Sequence, residues 1–189
     1  MPQRPTSPPG CGVTVFFTGL PASGKTTLAR ALSARLTTLC DREVAVLDGD
    51  VIRAATPGAL GFSRPDRDRN VRRVGELAAR ITQEGGTAIC AVIAPYEATR
   101  AEVRDLVERV GRFVLVHVST PLEVCEVRDP KGLYAKARAG DITHFTGVSD
   151  PYEQPLDADV VIDTSVVTPD EAVAVILRHL ESPQARPPR

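Results

Sequence analysis

The chain has 189 residues, 42% of them hydrophobic and 25% charged, enough apolar material for one core and a ligand cleft. Lys and Arg number 23 against 24 Asp and Glu, a formal net charge of −1 that excludes the global basic field of a nucleic-acid binder. No apolar run reaches the length of a membrane span, and Met1 to Gly10 is Pro-rich and polar without a signal peptide's apolar centre, so the sequence reads as cytoplasmic.

In chain order, residues 1–11 and 182–189 read as disordered tails around a single domain of residues 12–181. Between them, nearly continuous apolar runs bounded by Gly, Pro and Asp predict strands at Val13–Phe17, Val44–Leu47, Thr87–Val92, Phe113–Val118 and Val160–Ile162. Longer segments of helical spacing predict helices at Lys25–Leu39, Asp66–Glu84, Ala98–Val110, Pro121–Val127 and Pro169–Leu180. The last has the clearest start, with Thr168 as cap, Pro169 in the first turn and Glu171 completing a capping box. The alternation implies an α/β fold, a doubly wound five-stranded parallel sheet flanked by helices. Residues 129–155, rich in Gly, Pro and charge, read as a mobile lid with one short helix near Leu133–Ala139. Cys11, Cys40, Cys90 and Cys125 form no C-x-x-C pair and read as structural thiols; His117, inside an apolar run, reads as a packed strand residue.

Gly19-Leu20-Pro21-Ala22-Ser23-Gly24-Lys25-Thr26 fits G-x-x-x-x-G-K-[ST] directly after a strand and before a helix, with Thr27 continuing it, which makes the expected fold one of the P-loop NTPase type. Glycines let main-chain N–H groups turn inward around phosphate oxygens, and the helix N-terminus adds its positive end. Lys25 then bridges β- and γ-phosphates and Thr26 supplies a hydroxyl to Mg²⁺, so the cofactors implied are ATP and Mg²⁺. No Asn-Lys-x-Asp base-reading motif follows, which disfavours a GTPase and favours a small-molecule kinase.

Asp48 and Asp50 close a strand at its carboxyl end, where open α/β sheets bind ligands. One carboxylate suits Mg²⁺ or its waters and the other the proton of an attacking hydroxyl; Asp50 is the leading proton acceptor. An acidic turn capping a short helix is the structural alternative. Arg53, Arg67, Asn70 and Lys131 are donors suited to an anionic acceptor, and Phe62 and Phe145, aromatics in Gly-containing loops of a Phe-poor chain, are not expected to be needed for the core and offer flat faces for a base. Asp66 and Asp68 interrupt the Arg-rich run Arg64–Arg73 and no aromatics are interleaved, so nucleic acid is not its partner.

These strings, with Gly61-Phe62-Ser63, Asn70-Val71-Arg72-Arg73-Val74-Gly75-Glu76, Ile93-Ala94-Pro95-Tyr96, Arg128-Asp129-Pro130-Lys131-Gly132-Leu133-Tyr134 and Phe145-Thr146-Gly147, resemble the adenylyl-sulfate (APS) kinase family over about residues 12–180. The resemblance implies transfer of the ATP γ-phosphate to the 3′-hydroxyl of adenosine 5′-phosphosulfate. It also implies acceptor contacts from Asp50, Arg53, Phe62, Arg67, Asn70, Ile93, Ala94, Lys131, Gly132, Leu133 and Phe145, and an ATP adenine contact from Arg128. Lys25, Asp48 and Asp50 are the implied catalytic residues, with Thr26 and Asp48 at the metal. A homodimer is implied by the resemblance alone, and any coupling to ATP sulfurylase is expected through a separate protein. Two departures stand out: Ala94 replaces a serine that many members carry, which excludes a phosphoserine there and favours direct in-line transfer, and Ala54–Gly58 lacks the usual Gly-Leu-Asn character. A P-loop kinase of another hydroxyl compound is the alternative.

Overall fold

A computed structural model describes residues 12–39, 43–55 and 61–182. Five strands, β1 (Val13–Gly19), β2 (Val44–Asp48), β3 (Thr87–Ala91), β4 (Arg112–Val118) and β5 (Val160–Ile162), form one wholly parallel sheet in the order β2-β3-β1-β4-β5. Seven helices lie between and after them among the described residues: α1 (Lys25–Leu39), α2 (Gly49–Ala54), α3 (Arg64–Gln83), α4 (Glu97–Glu108), α5 (Leu122–Arg128), α6 (Leu133–Arg138) and α7 (Pro169–Glu181).

The period of two along each central strand divides the core. Val15, Phe17, Ile89, Val114 and Val116 pack with Leu28, Leu32 and Leu36 of α1 and Val173 and Ile176 of α7. Their neighbours Phe16, Ala88, Cys90, Phe113 and Leu115 pack on the other face with Val71 and Val74 of α3 and Val103 of α4. Phe16 and Phe17 are both fully buried, so β1 stabilises both layers, each ring contributing ~1.5–3 kcal/mol by burial. Close approach of α3 and α4 depends on Gly75, where a Cβ would stand 2.7 Å from Val103.

The strand and helix positions match the sequence pattern, and α1 and β5 match to the residue. Thr168 accepts from the Glu171 N–H while the Glu171 side chain accepts from the Thr168 N–H, the capping box expected for α7. Most other ends shift by one or two residues, and three differences have local reasons. Ser63 caps α3, so the helix begins at Arg64 with Pro65 in its first turn rather than at Asp66. Asp48 caps α2, a six-residue helix that realises the acidic-turn alternative. Glu153 accepts from the Glu97 N–H at 2.6 Å and starts α4 there. Cys90 and Cys125 are buried free thiols and His117 is buried in β4, as expected. Cys11, Cys40, nearly all of both terminal segments, and Thr56–Gly58 lie outside the described residues.

The strand order reverses at β1: the chain leaves it for β2 and β3 on one side and then crosses to β4 on the other. Crevices at such a reversal, beyond the carboxyl ends of the strands, are where doubly wound sheets take ligands. The loop after β1 and the segment after β3 meet there, and residues 129–155 lie across them. Cys125, Tyr134, Ala137 and Phe145 make a small third core under this segment, with the Tyr134 and Phe145 rings edge to face at 5.0 Å.

Candidate functional site

A cleft of about 930 Å³ opens at that reversal, at the upper end of the ~300–1,000 Å³ usual for small-molecule sites. Its lining divides into two ends with a charged middle.

One end is the loop between β1 and α1. Positive φ at Ala22 (61°) and Gly24 (102°) turns successive main-chain N–H groups toward one side, the concavity that suits phosphate oxygens. Lys25 is only 8% exposed and donates to the carbonyls of Gly19, at 2.9 Å, and Leu20. Burial lowers its pKa to about 8, against the opposing pull of Cys125, Asp50 and Asp48. From behind, the Ser23 carbonyl is within reach of both the Thr120 Oγ1 hydroxyl, at 3.1 Å, and the Thr164 Oγ1 hydroxyl, at 2.9 Å; the two hydroxyl oxygens lie 2.9 Å apart, so one can donate to the carbonyl and the other to its neighbour. Arg128 donates to Thr164 Oγ1 at 2.7 Å and to its carbonyl at 2.8 Å, which places the guanidinium beside the loop.

Pro21, Ala22, Gly24, Lys25, Thr26, Thr27 and Arg128 all line this end. Gly19, Leu20 and Ser23 do not; they form the loop's back wall, where their carbonyls receive Lys25, Thr120 and Thr164. Thr164, which sequence reasoning missed, lines the cleft two residues past β5. Its position beyond a strand's carboxyl end was the available signal.

In the middle, Thr26 Oγ1 donates to Asp48 Oδ2 at 3.0 Å, and Asp48 Oδ1 accepts from the Asp50 N–H at 2.9 Å. The Asp48 carboxylate thus joins the loop to the start of α2 and holds the expected metal pair together. A hydroxyl and a carboxylate, with a second carboxylate two residues on, are hard oxygen donors of the kind Mg²⁺ takes with phosphate oxygens and water. The described residues contain no cluster of three or more His, Cys, Asp or Glu that could hold a metal by themselves. Lys131 Nζ reaches across from the segment of residues 129–155 to Asp50 Oδ2 at 2.6 Å, and this contact raises the lysine's pKa.

The other end is built by α2, α3 and the segment after β3. Phe62 is 52% exposed, and the guanidinium carbons of Arg53 and Arg67 stand 5.1 and 5.7 Å from its ring centroid. Arg67 is buried and donates to the carbonyls of Phe62, at 2.9 Å, and His144. Burial lowers its pKa, and the charge on Arg53 adds to the shift. Asn70 donates to the Gly49 carbonyl at 3.2 Å, whereas its buried Oδ1 has no partner among the described residues. Ile93, Ala94, Leu133 and Phe145 complete the lining, while Gly132, at φ 64° before α6, does not reach it. One expectation needs correction: Phe145 is not free of core duty. Only 6% exposed, it packs on Tyr134 and Cys125 and shows the cleft little more than an edge.

Residues 11–163 match the sequence profile of the family described as adenylylsulphate kinase. Over 171 residues the chain is 49% identical to the adenylyl-sulfate kinase of Synechococcus sp. (strain JA-3-3Ab), covering 90% of this chain and 95% of that one. It is also 49% identical over 171 residues to the sulfate adenylyltransferase of Phaeosphaeria nodorum, covering 90% of this chain but only 30% of that protein. Other fungal sulfate adenylyltransferases match in the same way, so the chain spans about 30% of the length of these relatives. Among solved structures it superposes on the Mycobacterium tuberculosis APS kinase in complex with AMPPNP and APS with a TM-score of 0.87 at 40% identity, covering 92% of this chain and all of that one.

Proposed function

Because the chain belongs to the adenylylsulphate kinase family, we propose that it transfers the γ-phosphoryl group of ATP to the 3′-hydroxyl of adenosine 5′-phosphosulfate. The products are 3′-phosphoadenosine 5′-phosphosulfate and ADP. The observation that carries this reading is one continuous cleft in which a phosphate-cradling loop and an Arg- and Phe-lined end face each other across Asp48 and Asp50. Residues 12–181 act as the working unit, with 129–155 as its lid.

ATP lies with its β- and γ-phosphates in the turn of Ala22–Thr26, and Lys25 exchanges its carbonyl partners for phosphate oxygens. Thr26 and Asp48 hold Mg²⁺, which when bound neutralises charge shared by the β- and γ-phosphates. At the opposite end Phe62 stacks on the acceptor's adenine, with the exposed edge of Phe145 against it, and Arg53, Arg67, Asn70 and Lys131 take its phosphosulfate. The acceptor's 3′-oxygen attacks the γ-phosphorus in line. The new O–P bond forms as the bond to the β-phosphate oxygen breaks, and the hydroxyl proton passes to Asp50. Lys131, paired with Asp50 before substrate arrives, turns to the anion and releases that carboxylate. Transfer is direct, since the Ala94 side chain cannot carry a phosphoryl group.

The protein works as a homodimer in the cytoplasm and takes its acceptor from an ATP sulfurylase. The fungal relatives named sulfate adenylyltransferase support that coupling. ADP release measured with MgATP and APS, AMP, adenosine or shikimate tests the acceptor. APS should lead by a wide margin, because its sulfate adds an anionic group for Arg53, Arg67 and Lys131 that AMP and adenosine do not reproduce; equal turnover of adenosine or shikimate would reject the reading.

A further inference from the structure

We infer that Arg100, with Tyr152 and Thr18, is a positioning clamp that fixes the Ile93–Ala94–Pro95 turn at the acceptor end of the cleft. It acts on acceptor affinity without touching substrate. The inference rests on the assignment of that end to the acceptor.

Arg100 is 2% exposed, belongs to neither end of the cleft and does not line it, nor do Tyr152 and Thr18. A guanidinium so deeply buried calls for a reason, because burial of charge is costly unless it is paired and hydrogen-bonded. Its Nη1 donates to the Ala94 carbonyl at 2.7 Å, and its Nη2 to the Glu153 carbonyl at 2.7 Å and to the Glu97 carboxylate. Nε has no partner among the described residues. The side chain is therefore committed mainly to two main-chain oxygens, one in the cleft wall and one at the end of the lid.

Ala94 needs such help. Its φ is 43°, in the left-handed region that an alanine occupies only when its surroundings over-determine it. The carbonyls of the turn are all engaged from behind. Thr18 Oγ1 donates to Ile93 O at 2.6 Å and lies 3.3 Å from Ala94 O, and the Gly19 N–H reaches Ile93 O at 3.4 Å. The Tyr152 hydroxyl pairs with Thr18 Oγ1 at 3.0 Å while its ring stacks on His117, 5.9 Å away between centroids. Pro95 O accepts from the Glu153 N–H at 2.8 Å, and the Glu153 carboxylate accepts from the Glu97 N–H at 2.6 Å.

No peptide bond among the described residues is cis, so the N–H of Ala94 turns opposite to the Ile93 carbonyl, away from β1. That N–H has no hydrogen-bond partner among the described residues. Fastening the carbonyls from behind leaves the donor side of the turn for a ligand. Because Tyr152 and Glu153 close the lid segment, the same bonds tie the end of the lid to the cleft wall.

The test compares Arg100→Lys and Tyr152→Phe with wild type in the full chain. Lysine keeps the charge but cannot reach two carbonyls with a planar fork, and phenylalanine keeps the stack on His117 while losing the bond to Thr18. Two readouts are taken: KM for APS and for ATP separately, and amide hydrogen exchange of peptides covering 92–97 and α1. The expected result is an APS KM raised roughly tenfold or more, an ATP KM within about twofold of wild type, and faster exchange confined to 92–97. The smaller change of Tyr152→Phe should move both readouts in the same direction. Equal changes in the two KM values, an unchanged APS KM in both variants, or unaltered exchange at 92–97 would overturn the clamp. A wild type that does not turn over APS would instead reject the functional assignment, and the exchange measurement would still decide whether Arg100 and Tyr152 hold the turn.

Discussion

In the proposed function the two ends of the cleft bind anions by different physical means. The nucleotide end is a short piece of main chain whose positive φ angles and helix start are set in advance, with one lysine resting on the loop's own carbonyls. The acceptor end is an assembly of side chains drawn from α2, α3, the segment after β3 and the lid, and its cations already have partners: Arg67 on the Phe62 and His144 carbonyls, Lys131 on Asp50. A backbone cradle recognises phosphate in any nucleotide. Side chains that must exchange partners discriminate, because only an acceptor with matching charge repays the bonds given up.

This difference predicts where single substitutions act. The largest effects belong to the middle and the loop: Lys25→Ala and Asp50→Ala should each lower kcat by ~10²–10⁴-fold with the fold intact, since they act on developing charge and on the proton of the nucleophile. Circular dichroism with steady-state kinetics checks this, and near-normal turnover of Asp50→Ala would remove it from the mechanism. Next, Arg67→Ala and Phe62→Ala should raise the KM for APS roughly ten- to a hundredfold while leaving that for ATP nearly unchanged, as the loss of a charged hydrogen bond or a stacked base would do. A matching rise for ATP would erase the division between the two ends.

That division also explains what was legible in the sequence. The nucleotide end is one contiguous string between a strand and a helix, and its elements were readable because apolar runs and helical spacing there are long. The acceptor end carries scattered residues whose chemistry could be guessed, but whose packing could not. Phe145 looked dispensable to a core because its loop is rich in Gly and polar residues, yet it packs in a small core under the lid with Tyr134 from α6. Helix α2 has six residues, too few to show a period, and only the capping capacity of Asp48 announced it. Thr164 acts through partners 36 or more residues away, and Arg100 ties its own helix to the Glu153 carbonyl 53 residues away, pairings that no local pattern encodes.

A milder effect concerns pH. Burial lowers Lys25 to about 8, so the unliganded protein loses this positive charge as pH rises through that value, well before an ordinary lysine would. The kcat/KM for ATP, which reports the free enzyme, should therefore decline above about pH 8, while kcat declines later because bound phosphate favours the protonated form. Pre-steady-state and steady-state profiles between pH 6 and 10, on the order of half a unit apart, resolve the two limbs. The smallest effect is on stability. The Lys131–Asp50 pair is exposed on both sides, so Lys131→Ala should change the unfolding free energy by less than ~1 kcal/mol while still weakening APS, and a larger loss in a denaturant titration would make the pair a structural tie instead.

The central claim, direct transfer from the loop's nucleotide to the acceptor's hydroxyl, is met most directly by following the phosphorus itself. Wild-type protein is incubated with γ-labelled MgATP, with and without APS, and the label is located after separation of protein and nucleotides. The account predicts label only in the 3′-phosphate of the product, one per ADP formed, with none retained on the protein when APS is omitted. Stoichiometric label on the protein that APS then discharges, or label at any other position of the nucleotide, would contradict it.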